Sequence, residues 1–172
     1  MGGESAGGNL AAALLLKVRE EDLPQPAGLY LQSPWLDMDT VGESYDTVGD
    51  RDPIISQDGM EMYAATFLAG RPDDLFTSPV RADLHGFPPI LIQVGTEEVL
   101  LSDSLNFANQ AALSGLNVKL DVWRYVPHAW PLFPIQINNT KGNRSPNELA
   151  IAQFGLGSLS QCAATRNDSL FN

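Results

Sequence analysis

The sequence predicts an α/β fold in which parallel strands alternate with helices. Three observations lead there. The runs Gly28–Ser33 and Ile90–Val94 are short and mostly apolar, as strands buried on both faces are. Segments with helical spacing separate the strands, and that alternation is the pattern of a parallel sheet covered by helices. Gly3-Glu4-Ser5-Ala6-Gly7 reads G-x-S-x-G, a pattern that places a serine on a sharp strand-to-helix turn.

Each element has its own local cause. Asn9 to Arg19 is rich in Ala and Leu and predicts a helix, apolar on most faces and largely buried. Its N-terminus falls at Ser5, where the helix dipole favours negative charge. Pro24 and Pro26 end it, and Gly28–Ser33 follows as a buried parallel strand stopped by Pro34. Asp37 to Pro53, full of Gly, Asp, Ser and Thr, predicts loop. Ser56 to Leu68 predicts a helix with Ser56 as its N-cap and Asp58 in its first turn. Arg71 to Pro79 is again loop. Ile90–Val94 is the clearest buried strand, and Gly95 to Glu98 is the loop at its C-terminal end. Ser102 to Ser114 predicts a helix closed by Gly115. Val118 to Tyr125 alternates as a half-buried strand. Beyond Phe133 the pattern weakens: polar loop over Asn138–Asn147, a short helix over Glu148–Phe154, and a poorly ordered tail over 158–172. The domain is thus expected over 1–157.

Composition excludes several functions. The chain has 172 residues, 44% of them hydrophobic, which suits one globular domain. A net charge of −11 argues against nucleic acid or an anionic membrane surface as partner, because both need clustered Lys and Arg. Cys162 is the only cysteine, so no internal disulfide forms, and it receives no role. No apolar run approaches the ~20 residues of a membrane span. With no signal peptide visible, a cytoplasmic location is expected.

The chemistry follows from where polar residues meet strand ends. Open parallel sheets bind ligands beyond the carboxyl ends of their strands. Ser5 on the turn, Glu98 after Ile90–Val94 and His128 after the strand ending near Tyr125 all fall there. Serine needs an imidazole to take its proton during attack. A carboxylate then orients that imidazole and stabilises its charged form. The N–H of Ala6, next to the serine, is the candidate donor to a developing oxyanion. Glu97 and Asp103 compete with Glu98 as the acid, and Asp103 reads equally as a helix cap. His85 precedes its strand, at the wrong end of the sheet for catalysis, and reads as a surface residue. Trp35 and Trp130 read either as substrate-pocket walls or as core packing, and Val99 and Ala129 are further pocket candidates. Asp37, Asp39, Asp50 and Asp52 lack the spacing of metal ligands and read as a solvated loop.

Several stretches together resemble the hormone-sensitive-lipase-like branch of the α/β-hydrolases. They are Gly3–Ala11, Ser33-Pro34-Trp35-Leu36-Asp37, Gly42-Glu43-Ser44-Tyr45, Asp52-Pro53, Ala82-Asp83-Leu84, Pro88–Gly95, Glu98-Val99-Leu100-Leu101 and Pro127-His128-Ala129-Trp130. Within that branch the chain looks most like short-chain carboxylesterases and monoterpene ε-lactone hydrolases, over roughly residues 2 to 133. The resemblance implies the C-terminal half of an α/β-hydrolase fold beginning at the nucleophile elbow. It implies Ser5 as nucleophile, His128 as general base and Glu98 as acid. The substrate would be a small acyl ester or lactone, cleaved through an acyl-enzyme without a cofactor.

The family also carries upstream strands, a cap and a His-Gly-Gly-Gly type loop that this chain lacks, so impaired activity is expected. The alternative is a non-catalytic binding module or inactive fragment on the same scaffold. With the elbow strand missing, the strand at Gly28–Gln32 is expected to expose an apolar edge through which copies could associate.

Overall fold

The computed structural model describes residues 1–132 of the chain. Among them lies a four-stranded parallel sheet in the order β1-β2-β3-β4: β1 Gly2–Glu4, β2 Leu29–Gln32, β3 Ile90–Glu97 and β4 Val118–Pro127. Gly3 is level with Leu31, Leu31 with Ile92, and Ile92 with Leu120. The helices are α1 Ala6–Glu20, α2 Glu43–Val48, α3 Gln57–Leu68 and α4 Leu101–Leu113. None of the described helices is long and apolar enough to cross a membrane.

One face of the sheet carries the main core. Leu29, Leu31, Ile90 and Ile92 alternate onto that face and meet Ala12, Leu15 and Leu16 of α1 and Phe107, Ala108 and Ala111 of α4. Each such Leu or Phe contributes about 1.5–3 kcal/mol by leaving water. The apolar composition of α1 suggested burial on most faces, but Leu10 and Leu14 are exposed, so α1 packs by one stripe.

A second buried cluster lies beyond the C-terminal ends of the strands. It joins Trp35 and Met38 to Tyr45 of α2, Met60 and Ala64 of α3, and Val99 and Leu100. This cluster corrects the expected loop over Asp37–Pro53, which contains α2 and a 3₁₀ turn at Gly49–Arg51. Composition hid α2, because tertiary contact holds it: Ser44 N donates to Ser102 Oγ at 2.8 Å and Ser44 Oγ donates to the Val99 carbonyl. By contrast α3 begins where its local signal predicts, with Ser56 Oγ accepting from Gly59 N at 3.2 Å.

Two further expectations change. The elbow strand is present over Gly2–Glu4, so β2 is paired on both sides and is not an open edge; the sheet edges are β1 and β4. The alternation expected along β4 is irregular, because its register against β3 shifts between Gly95 and Glu97 and Tyr125 adopts φ 61. The expected helix over Glu148–Phe154 and the domain limit at 157/158 lie outside the described residues.

Candidate active site

The elbow is built from short-range geometry and long-range hydrogen bonds together. Ser5 sits between β1 and α1 with φ 52 and ψ −124, a conformation that costs about 1–3 kcal/mol and needs outside support. Ser5 N donates to Gln32 O at 3.0 Å, while Ser5 O accepts from Gly8 N at 2.9 Å and Trp35 N at 3.1 Å. Gly3 is required, since any Cβ there would overlap the carbonyl of Gly7. Ala6 is the first residue of α1, so its N–H belongs to the turn whose donors find no partner within the helix.

The acid turn is held from several directions. Glu98 follows β3 and has no exposed surface. Its Oε1 accepts from Ser33 Oγ at 3.0 Å and from Gly95 N, and its Oε2 lies 3.0 Å from His128 Nδ1. Val99 N, one residue on, donates to Asp52 Oδ2 at 3.0 Å. Gly95 must lack a side chain, because a Cβ would collide with the Val126 carbonyl. Burying a carboxylate this deeply is costly unless its oxygens are bonded, and these are.

His128 follows β4 and is buried between two carboxylates. Its Nδ1 faces Glu98, and its Nε2 lies 3.2 Å from Glu4 Oε1. Glu4 is half-buried and is the variable residue of the G-x-S-x-G pattern. Among the described residues no hydrogen bond joins Ser5 Oγ to His128; the Glu4 carboxylate stands at the nitrogen a serine hydroxyl would need. Thus the structure brings Glu98 and His128 into contact and sets Ser5 one residue from the group that meets the other ring nitrogen.

The competing acids have other partners. Glu97 pairs with Arg51 at 2.8 Å, and that guanidinium holds its carboxyl below the usual range. Asp103 is not a helix cap: its Oδ2 accepts from Leu36 N at 2.7 Å and Asp37 N at 3.0 Å, tying the loop after β2 to α4. Burial raises the Asp103 carboxyl to about 7. His85 is exposed and contacts Asp83 at 2.6 Å.

Of the four pocket candidates, Val99 has no exposed surface and Trp35, Ala129 and Trp130 are also buried. For Trp35 and Val99 the geometry favours the packing alternative, since both belong to the second cluster. Trp130 lies 5.9 Å from the ring of Trp123. Asp37 and Asp39 converge with Asp73, and Arg81 forms ion pairs with all three.

Sequence reasoning passed over Ser33, Gly95 and Glu4. For Glu4 the signal available was its place in the pattern, directly before Ser5. Ser33 and Gly95 act through contacts distant in sequence, which no local pattern carries.

The serine on a strained strand-to-helix turn, with acid and histidine at neighbouring strand ends, defines a hydrolase-type scaffold. The alpha/beta hydrolase fold family matches residues 1–132, and the chain belongs to that family. Among its relatives is a protein named acetyl-hydrolase from Streptomyces hygroscopicus, 37% identical over 76% of this chain and 44% of its own length. Another is an esterase from Acinetobacter venetianus, 35% identical over 70% of this chain and 41% of its own. A hormone-sensitive lipase from a metagenome library superposes with a TM-score of 0.75 at 39% identity, over 77% of this chain and 45% of that one. EstE5, whose crystal was soaked with p-nitrophenyl butyrate, gives a TM-score of 0.73 at 38% identity, over 77% of this chain and 46% of that one. The chain therefore spans under half the length of these relatives.

Proposed function

We propose that the chain carries the acyl-transfer centre of a serine carboxylester or lactone hydrolase, with Ser5 as nucleophile, His128 as base and Glu98 as acid. The observation that carries this reading is the strained Ser5 at φ 52, adjoining a buried Glu98–His128 pair at 3.0 Å. The esterase names of the relatives support the reaction class, and the p-nitrophenyl butyrate in one of them supports a small acyl ester as probe.

The steps balance as follows. Ser5 Oγ adds to the acyl carbon while His128 Nε2 takes the hydroxyl proton. The carbonyl oxygen becomes an oxyanion, which the Ala6 N–H can meet. Collapse breaks the bond to the leaving oxygen, which receives the proton from Nε2; for a lactone that oxygen stays tethered. Water then repeats the sequence on the acyl-serine. Glu98 holds the Nδ1–H tautomer throughout. Before any step, Glu4 must leave Nε2. The carboxylate is half-buried, so rotation toward water is open to it.

The test is hydrolysis of p-nitrophenyl acetate and butyrate, together with labelling by a fluorophosphonate probe. Slow turnover and labelling, both abolished in Ser5→Ala, are expected. Labelling that persists in Ser5→Ala, or none in the wild type, would sink the assignment and favour a non-catalytic binding role.

A further inference from the structure

Ser33 has no part in the mechanism above, yet it touches Glu98 and the residue after His128. It lies in the loop after β2, immediately before Pro34, and is fully buried. Its φ is 44, in the left-handed region that non-glycine residues avoid. Ser33 N donates to Gln93 O at 2.8 Å, anchoring the backbone on β3. Its Oγ donates to Glu98 Oε1 at 3.0 Å and accepts from Ala129 N at 3.1 Å. A hydroxyl has one donor and two acceptor sites, and here the donor meets the acid while an acceptor meets the residue after the histidine. Glycine would adopt this φ without strain, but would offer neither bond.

We infer that Ser33 is a positioning residue. Its hydroxyl fixes the carboxylate plane of Glu98 and, through Ala129, the loop that presents His128. Without it Oε1 keeps only the Gly95 N–H, and the carboxylate plane has one hydrogen bond fewer to hold it against His128. Ala129 N would also lose its partner in a buried place. The Glu98–His128 bond then loses its fixed length and direction, and Nε2 loses its aim. For the reaction, the inference rests on the assignment of Ser5, Glu98 and His128; for the Glu98–His128 contact it stands by itself.

The experiment compares Ser33→Ala with Ser33→Gly in the 172-residue protein. Alanine removes the hydroxyl and keeps the strained φ, whereas glycine removes both, so the glycine variant should melt higher. Two further readouts are the proton resonance of His128 Nδ1–H and the rate of fluorophosphonate labelling at Ser5. His85, the second histidine, is exposed, so its ring protons exchange with water and leave the His128 signal distinct. Both variants are expected to lose or broaden that resonance. Both should label about 10–100-fold more slowly, taking as guide the loss when a residue that orients a metal-binding histidine is removed. The loss should be equal in the two despite their different melting temperatures. A glycine variant that keeps the resonance and the wild-type labelling rate would overturn the inference, since only stability would then matter. Absence of the resonance in the wild type would overturn it as well. Failure of the wild type to label would instead count against the proposed function, and the resonance alone would then decide the role of Ser33.

Discussion

The acid turn brings three donors to Glu98, from Ser33 after β2, Gly95 within β3 and His128 after β4, and leaves it no exposed surface. The elbow, on the other side of the same imidazole, leaves Glu4 half-buried and facing Nε2 at 3.2 Å. One half of the site is an interlocked, buried network. In the other a carboxylate stands at the nitrogen that, in the proposed reaction, takes the Ser5 proton. Geometry in the first half resists change because every polar atom has a partner. Reactivity in the second depends on which neighbour holds Nε2.

The largest effect should come from breaking the interlocked half. Glu98→Gln puts an amide NH₂ where either Gly95 N–H or the imidazole needs an acceptor, and it releases the Nδ1–H tautomer. Labelling at Ser5 is expected to fall by about 10⁴. A loss smaller than about tenfold, or 1.4 kcal/mol, would remove Glu98 from the acid role.

The support behind that half is a smaller target. Asp103 anchors Leu36 and Asp37, in the same loop as Ser33. Its carboxyl is raised from 3.8 to about 7, chiefly by burial. The folded state therefore binds this proton more tightly than the unfolded state does. Its stabilising contribution is full below 3.8 and is lost as pH rises through about 7. The gap corresponds to ~4 kcal/mol at most. Asp103→Asn keeps an oxygen for the two N–H donors but does not titrate. Denaturant unfolding at pH 4 and pH 8 should show wild-type stability falling relative to the Asn variant. Parallel curves for the two proteins would contradict the assignment.

The smallest expected change is at the competing half. Glu4→Gln removes the charge opposite Nε2 and should raise the labelling rate severalfold while leaving the melting temperature close to wild type. An unchanged or lower rate would mean that Glu4 does not restrain His128, and the contrast between the two halves would disappear.

Much of the architecture was legible in the chain. Ile90–Val94 read as a buried strand because a parallel strand covered on both faces is apolar throughout. Ser56 announced α3 because capping is a local bond. The Gly3–Gly7 pattern located the elbow because its backbone conformation excludes side chains at Gly3. What stayed hidden depends on partners far apart in sequence. The helix α2 exists because Ser44 meets Ser102 and Val99. Three strand residues were too few to register as β1 without β2 beside them.

The sequence by itself determined the class of chemistry: a serine, an acid and a histidine in an order and at strand ends that suit acyl transfer. Those features are local, because turns, caps and apolar runs are written in neighbouring residues. Only the tertiary structure decided which carboxylates touch the imidazole. Glu98 on one nitrogen, Glu4 on the other and Ser33 bridging Glu98 to Ala129 are meetings of segments that the sheet brings together. Hydrogen bonds act over about 3 Å, and only folding brings residues so distant in the chain that close.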